Sequence, residues 1–355
     1  MTATESGARA RLTATGFARE LEVERFEPAP PGPGQVLIEV EACGVCYRDL
    51  IDRRGGFPFL QLPITPGHEA AGRVVAVGPP VDGAPAFEVG LRVGTMHRDS
   101  CGECAACRAG STSLCASAAW VFGILADGGY ATHLVAPARA LYPLPDALAP
   151  EHAAVMHCTF GTAYRDLVTL GRLAAGERVV VTGANGGVGS AGVQIAHRLG
   201  AEVVAIVRDA RHEPRLRALG ADHVIVDPGS GFHKHPVLAS RRAEVVLDAT
   251  GASTFNSSLR SLAVGGRAVV VGNIAEQQAS LNLGLVITSG LTIVGGSGAT
   301  PAEMAALLAL HAARPFDVPI EDVLPLESAD LAQRRLLGGG VFGRLVLRPA
   351  QRGGS

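Results

Sequence analysis

Cys101, Cys104, Cys107 and Cys115 are spaced C-x2-C-x2-C-x7-C, four thiols inside fifteen residues. Such spacing lets four thiolates converge on one tetrahedral ion at about 2.3 Å per bond. Gly102 and Gly110 leave the loop free to wrap it. An all-sulfur set has no open position for substrate, so the expected occupant is a structural zinc. The other three cysteines, Cys43, Cys46 and Cys158, accompany Asp49, His68, Glu69 and His157 as a second group of candidates. These residue types suit a divalent metal with acid–base partners, but their spacing alone does not show that they meet.

A second chemical signal is the run Val179-Val-Val-Thr-Gly-Ala-Asn-Gly-Gly-Val-Gly189. It passes from an apolar strand into a helical pattern. Gly183, Gly186, Gly187 and Gly189 remove Cβ atoms where a pyrophosphate must approach the backbone, and Asn185 and Val188 lie in the same turn. The helix that follows offers free N–H groups and the positive end of its dipole. NAD-binding versions place an acidic residue at the end of the second strand. Here that strand, Glu202–Val207, runs into Arg208, with Arg211 nearby. A guanidinium pairs with a 2′-phosphate, which predicts NADP(H) in preference to NAD(H), although Asp209 leaves recognition of a ribose hydroxyl open.

The elements that must carry these groups fall into two textures. The first 150 residues hold short segments punctuated by Gly and Pro, with strands expected at Gln35–Glu41, Gly72–Val77 and Tyr130–Val135. This predicts an irregular antiparallel or barrel-like sheet. From Glu151 the pattern changes. A helix is expected over Glu151–Leu170, followed by alternating strands (Arg178–Thr182, Glu202–Val207, His223–Val226, Glu244–Asp248, Arg267–Val271, Leu291–Val294) and helices (Gly187–Leu199, His212–Leu219, Ser253–Leu262). Continuous Val/Ile strands alternating with helices predict a parallel sheet covered on both faces. A helix at Pro301–Ala313, a strand, a helix at Ala329–Leu336 and a strand at Arg344–Leu347 complete the chain. Leu291–Val294, last in the parallel sheet, is expected at an edge open to pairing.

Apolar residues make up 47% of the 355 residues and charged residues 18%, enough to bury a large core of about two domains. A formal net charge of −2 gives no electrostatic pull toward nucleic acid or anionic membrane. Residues 1–20 contain no apolar segment of signal-peptide length. The uncharged stretch 277–302 is interrupted by glycines, and reads better as buried strands joined by turns than as a membrane span. A cytoplasmic protein is therefore expected, and in such a chain seven cysteines point to metal binding rather than disulfides.

With these residues in view, the chain resembles the zinc-containing branch of the medium-chain dehydrogenase/reductase superfamily, the zinc alcohol dehydrogenase type. The resemblance covers nearly the whole length in order: Gly44-Val-Cys46, Asp49, Gly67-His-Glu69, the four-cysteine loop, Cys158 and Gly183–Gly189. It implies an α/β fold, a GroES-like β-rich catalytic domain (1–156 and 298–355) and a Rossmann doubly wound domain (157–297). It implies that Cys46, His68 and Cys158 hold a catalytic zinc, with Asp49 fixing the tautomer of His68 and Glu69 close by or a transient ligand. Thr162 would lie against the nicotinamide, and Thr250, Gly272 and Asn273 would join the cofactor contacts. Cys43 and His157 match no ligand position and are assigned to packing. The family also implies a homodimer or homotetramer.

Two features depart from the alcohol dehydrogenase pattern. Arg48 stands where a Ser or Thr usually passes the alcohol proton to solvent, and a guanidinium cannot shuttle protons near neutral pH. The glycine turn is one residue longer than usual and looks like that of quinone and enoyl reductases. Cys46-Tyr-Arg-Asp-Leu50, Thr254-Phe255 with Ser258-Leu259, and Gly272-Asn273 followed by Asn282-Leu283 are similar to the acryloyl-CoA reductases. The expected reaction is therefore hydride transfer between nicotinamide and a small alcohol, aldehyde or ketone. The alternative is NADPH-dependent reduction of an enoyl thioester, enone or quinone, with Tyr47 as candidate acid.

Overall fold

A computed structural model describes residues 6–274 and 278–349. The chain divides into two compact units, Met1–Cys158 with Ile320–Ser355, and Thr159–Pro319.

The first unit is built on a seven-stranded sheet. In spatial order its path runs Ile320–Pro325, Arg344–Arg348, Gln35–Val45, Glu69–Val77, Arg92–Thr95, Leu141–Pro143, and His133–Pro137 also pairs with Gln35–Val45. Gln35–Val45 is the spine, with Val36, Leu37, Ile38 and Val40 all at most 2% exposed. Its register matters for the chemistry. Leu345 pairs with Val45, and Gly44 pairs with Glu69, both antiparallel. Extending the two ladders by one residue brings Arg344, Cys46 and His68 to the same end of the sheet. A Cβ at Gly44 would sit 2.2 Å from Glu69 Oε2 and 2.9 Å from Val155 Cγ1. Only glycine lets the Glu69 carboxylate occupy that place. A small hairpin, Gly7–Arg11 with Glu22–Phe26, completes the described strands of this unit.

The second unit contains a six-stranded, wholly parallel sheet in the order His223–Val226, Glu202–Val207, Arg178–Thr182, Ala243–Asp248, Leu262–Val270, Thr292–Gly295. The order reverses at Arg178–Thr182, the arrangement of a doubly wound sheet that places ligands at the strand C-termini beside the switch point. Val180, Val204, Val246 and Ala268 pack in its core at 0% exposure.

Several expectations need correction. The helix expected over Glu151–Leu170 is interrupted. An α-helical turn at Pro150–Val155 gives way to wider, π-type turns at His157–Gly161 and Arg165–Leu170, with one α turn, Thr162–Tyr164, between them. Such widened turns recur at functional positions; here the first holds Cys158, and Thr162 opens the α turn that follows it. The stretch read as buried strands contains a helix, Leu283–Ser289, before the strand Thr292–Gly295, and no residue of that helix is buried: Ile287 is 77% and Leu283 64% exposed. Thr292–Gly295 does lie at the sheet edge, as the sequence predicts. The units divide at 158/159 and 319/320, not at 156/157 and 297/298. The helix Pro301–Ala313 belongs with the parallel sheet, where Glu303 receives both oxygens' worth of hydrogen bonds from Arg165 at 2.9 and 3.0 Å.

The helix Tyr47–Arg54 has no counterpart in the apolar pattern, because its buried face carries Asp49, Asp52 and Arg53 alongside Leu50. It begins at Cys46, whose backbone N–H donates to Asp49 Oδ2 at 2.9 Å, and stops at Gly55, held at φ 83°.

Candidate active site and metal centres

In the four-cysteine loop the sulfurs lie at tetrahedral spacing. Zinc–sulfur bonds of 2.3 Å imply sulfur–sulfur edges of about 3.8 Å. Cys101–Cys107 is 3.9 Å, Cys104–Cys115 4.0 Å and Cys101–Cys115 3.6 Å. Backbone N–H groups of Glu103 and Cys104 donate to Cys101 Sγ at 3.4 and 3.3 Å. These hydrogen bonds push the Cys101 thiol down, and those at Cys104 lower its pKa to about 6. Burial pushes Cys107 the other way, up to about 12, so it is the tetrahedral spacing of the sulfurs that fits a structural zinc.

The second group assembles at the sheet end described above. Cys46 Sγ is 3.8 Å from Cys158 Sγ, and Cys158 Sγ is 3.5 Å from His68 Nε2. With a Glu69 carboxylate oxygen these atoms all lie within 4.8 Å of one another, every residue buried. Two sulfurs and one imidazole nitrogen at tetrahedral-edge distances are the donor set of a catalytic zinc that keeps one position open. Cys43, His157 and Asp49 are not members of the cluster.

The surroundings set the charge of each ligand. Asp49, 1% exposed, accepts from three sides: Oδ1 faces His68 Nδ1 at 3.1 Å, while Oδ2 accepts the Cys46 N–H at 2.9 Å and the Tyr130 hydroxyl at 3.0 Å. Burial pushes the His68 pKa down, but the Asp49 carboxylate outweighs it and holds the ring at about 9. A metal at the cluster would displace the proton on Nε2, while the hydrogen on Nδ1 stays toward Asp49 and leaves Nε2 as the ligating atom. Hydrogen bonding from Cys158 carries the Cys46 thiol well below its ordinary range, against burial and with help from Arg344, while the same pairing and burial carry Cys158 upward.

Arg344 was invisible as a site residue in the sequence, where it merely opens an apolar strand. Its Nη2 lies 3.6 Å from Cys46 Sγ, 3.7 Å from Cys158 Sγ and 3.2 Å from Glu69 Oε1. It is the buried countercharge of the cluster. Burial raises the Glu69 pKa to about 6 in spite of this guanidinium. Arg48 does not reach the ligands: it donates to the Phe122 carbonyl and pairs with Asp52 at 3.2 Å. Tyr47 lies beside the Arg54 guanidinium, 5.8 Å from ring centre to Cζ. Sequence reasoning also passed over His97, whose ring meets His68 edge-on at 5.0 Å and His157 at 4.5 Å. Burial, then His157 and His68, hold it neutral.

In the second unit the glycine turn is built for close approach. Gly183 sits at φ 57°, and a Cβ at Gly189 would lie 2.2 Å from the Gly183 carbonyl oxygen. Helix Gly187–Arg198 starts directly after Gly186, with Val188 in its first turn and Asn185 in the loop before it. Thr250 Oγ1 would be 3.0 Å from a Cβ at Gly183, and a Cβ at Gly272 would meet Ala249 at 2.1 Å. The ends of three neighbouring strands thus bring Gly183, Thr250, Gly272 and Asn273 together. Arg208 is exposed at the end of Glu202–Val207, while the Asp209 carboxylate is engaged by Arg211 at 3.0 Å and by its backbone N–H at 3.0 Å. Thr162 is buried in the α turn beyond Cys158.

Residues 32–146 match the alcohol dehydrogenase GroES-like domain, and residues 187–313 match the zinc-binding dehydrogenase domain. The chain is 31% identical to an acryloyl-coenzyme A reductase of Sulfurisphaera tokodaii over 95% of its length and 99% of the relative. It is 33% identical to an alcohol dehydrogenase of Geobacillus stearothermophilus over 94% of its length and 97% of the relative. The crystal structure of a protein named AibC, 40% identical, superposes with a TM-score of 0.90 over 98% of this chain and 97% of that one. Together with the two candidate metal clusters and the glycine turn, these likenesses make the chain an oxidoreductase belonging to the zinc-binding dehydrogenase family, in the zinc-containing branch of the medium-chain dehydrogenase/reductase superfamily.

Proposed function

We propose that the chain transfers hydride between a nicotinamide dinucleotide and a small alcohol, aldehyde or ketone at a catalytic zinc held by Cys46, His68 and Cys158. The observation that carries this reading is the tetrahedral spacing of those three ligand atoms, 3.8 and 3.5 Å apart, in a buried site. A metal there supplies a Lewis acid for a substrate oxygen. Asp49 keeps His68 in its ligating tautomer, and Arg344 balances the two sulfurs and holds Glu69 back by an ion pair at 3.2 Å. A second zinc in the four-cysteine loop is structural.

Thr162, Gly183, Asn185, Gly186, Gly187, Val188, Gly189, Thr250, Gly272 and Asn273 are assigned to the dinucleotide. NADP(H) is preferred over NAD(H): the exposed Arg208 can pair with a 2′-phosphate, and Asp209 is engaged by Arg211. The chain pairs as a homodimer or homotetramer through its edge strand and the exposed Leu283 and Ile287 beside it. Among the described residues no cysteine is in a disulfide, which suits the cytoplasm.

A second reading, reduction of an enoyl thioester or enone, is favoured by Arg48. Its anchoring to Phe122 and Asp52 leaves no hydroxyl relay at the position where alcohol dehydrogenases keep one. Tyr47 is the acid of that reading. NADPH and NADH oxidation against aldehydes, ketones, cyclic enones and acryloyl-CoA tests both. Turnover of carbonyls lost in Cys46→Ala upholds the first reading. Turnover confined to the conjugated substrates replaces it with the second, and a lower KM for NADH overturns the cofactor preference.

A further inference from the structure

Beside the metal ligands stands a polar atom the zinc does not use. His97 follows the strand Arg92–Thr95, and two hydrogen bonds fix its neighbourhood. Thr95 Oγ1 ties the His68 carbonyl at 3.1 Å to the Ala70 N–H at 3.0 Å, and the Phe122 N–H donates to the His97 carbonyl at 3.3 Å. The half-buried His97 ring is thereby pressed edge-on between His68, a metal ligand, and His157. Its Nε2 is buried and has no hydrogen-bond partner among the described residues. A buried imidazole nitrogen left unmade is costly, and such orphans in a folded protein mark a partner that arrives from outside. The nearest chemistry that brings one is the substrate whose oxygen approaches the Cys46–His68–Cys158 cluster.

We propose that His97 is a substrate-binding residue whose Nε2–H donates a hydrogen bond to the carbonyl compound bound at the cluster. The inference rests on the catalytic reading above and deepens it: the substrate carries an oxygen acceptor at the His97 side of the metal. A ketone, an aldehyde and a thioester share that carbonyl chemistry, and the assay separates them. The tautomer required has its hydrogen on Nε2, a donor aimed at an acceptor-only oxygen. Because the imidazole acts as a neutral donor, no proton changes hands.

The test uses the full-length, zinc-loaded protein and two variants. His97→Phe keeps a flat ring and removes the donor; His97→Gln restores an amide N–H near the former Nε2. Steady-state kinetics with an aliphatic aldehyde, a ketone, a cyclic enone and acryloyl-CoA identify the substrate arm. On that substrate His97→Phe is expected to lose roughly 10- to 100-fold in kcat/KM, the size of one buried hydrogen bond. His97→Gln should recover most of it, with zinc per chain and NADPH affinity of both variants at the wild-type level. Wild-type kcat/KM within twofold in His97→Phe overturns the proposal, as does an equal loss in both variants accompanied by loss of zinc, which makes His97 a packing residue. A wild-type protein inactive on the whole panel sinks the catalytic reading and this inference with it, whereas an active wild type with an indifferent His97→Phe sinks the inference alone.

Discussion

Asp49→Asn changes one oxygen for a nitrogen, and the geometry predicts that no orientation of the new amide satisfies its neighbours. Asp49 Oδ1 holds His68 Nδ1 at 3.1 Å, and Oδ2 accepts the Cys46 N–H at 2.9 Å. If the asparagine keeps its oxygen toward His68, its NH2 group meets the Cys46 N–H donor to donor at the start of helix Tyr47–Arg54. If it turns over, the cap survives but the NH2 group faces His68 Nδ1. That ring must then present a lone pair on Nδ1 and carry its hydrogen on Nε2, the nitrogen 3.5 Å from Cys158 Sγ that the metal needs. One choice strains the backbone that delivers Cys46; the other removes His68 from the ligand set.

The expected loss follows from the partner it breaks. Replacing a group that orients a metal-binding histidine costs 10- to 100-fold in metal affinity or activity, or about 1.4 to 2.8 kcal/mol. The lost charge-assisted bond, roughly 1.5–3 kcal/mol, falls in the same range. Zinc competition against a chromophoric chelator reads this directly, because the four-cysteine loop contains none of these atoms and serves as an internal control. One equivalent should bind as in the wild type, and the other 10- to 100-fold more weakly, with kcat/KM falling in parallel. Two equivalents bound with wild-type affinity, with kcat/KM within threefold, would refute the assignment of Asp49 as the residue that sets the His68 tautomer.

Gly189→Ala drives a Cβ to within 2.2 Å of the Gly183 carbonyl oxygen, so the helix must move off the glycine turn; NADPH binding by fluorescence titration should weaken at least tenfold, roughly the scale of one lost backbone contact, with zinc content unchanged. Cys104→Ser removes a ligand of the four-sulfur loop and should lower zinc by one equivalent and depress the Tm, while a Tm equal to wild type would show that the loop holds no structural metal. Burial raises the pKa of Asp166 from 3.8 to about 8, so the stability it leaves intact below pH 4 is lost as pH climbs toward 8, at up to roughly 1.4 kcal/mol per unit. Asp166→Asn should therefore gain on the wild type in urea unfolding at pH 8 far more than at pH 4, and an equal difference at both would contradict the buried-carboxyl assignment.

How far the sequence reaches is set by how locally each feature is encoded. The parallel strands are legible because burial on both faces makes them continuous Val and Ile runs, as in Arg178–Thr182 and Glu202–Val207. The four-cysteine loop and the glycine turn are legible because all their groups lie within one short segment. The cluster of Cys46, His68, Glu69 and Cys158 is different. Cys158 lies 90 residues from His68 and 112 from Cys46; the register Gly44 against Glu69 brings Cys46 and His68 to one end of the sheet, Val45 against Leu345 adds Arg344, and the turn His157–Gly161 delivers Cys158. Family resemblance identified Cys46, His68 and Cys158, but neither composition nor periodicity could have placed Arg344 beside them. An arginine at the head of an apolar strand reads as a boundary, and Asp52 and Arg53, buried with Asp49 and Leu50 on one face of a short helix, carry no apolar signal that would place them inside. The misreadings have one physical cause. A site that must hold charge away from water buries residues that hydropathy assigns to the surface, so sequence rules fail most where the chemistry is concentrated. The interrupted helix at His157–Gly161 follows the same logic: the backbone gives up regular hydrogen bonding in the segment that delivers Cys158.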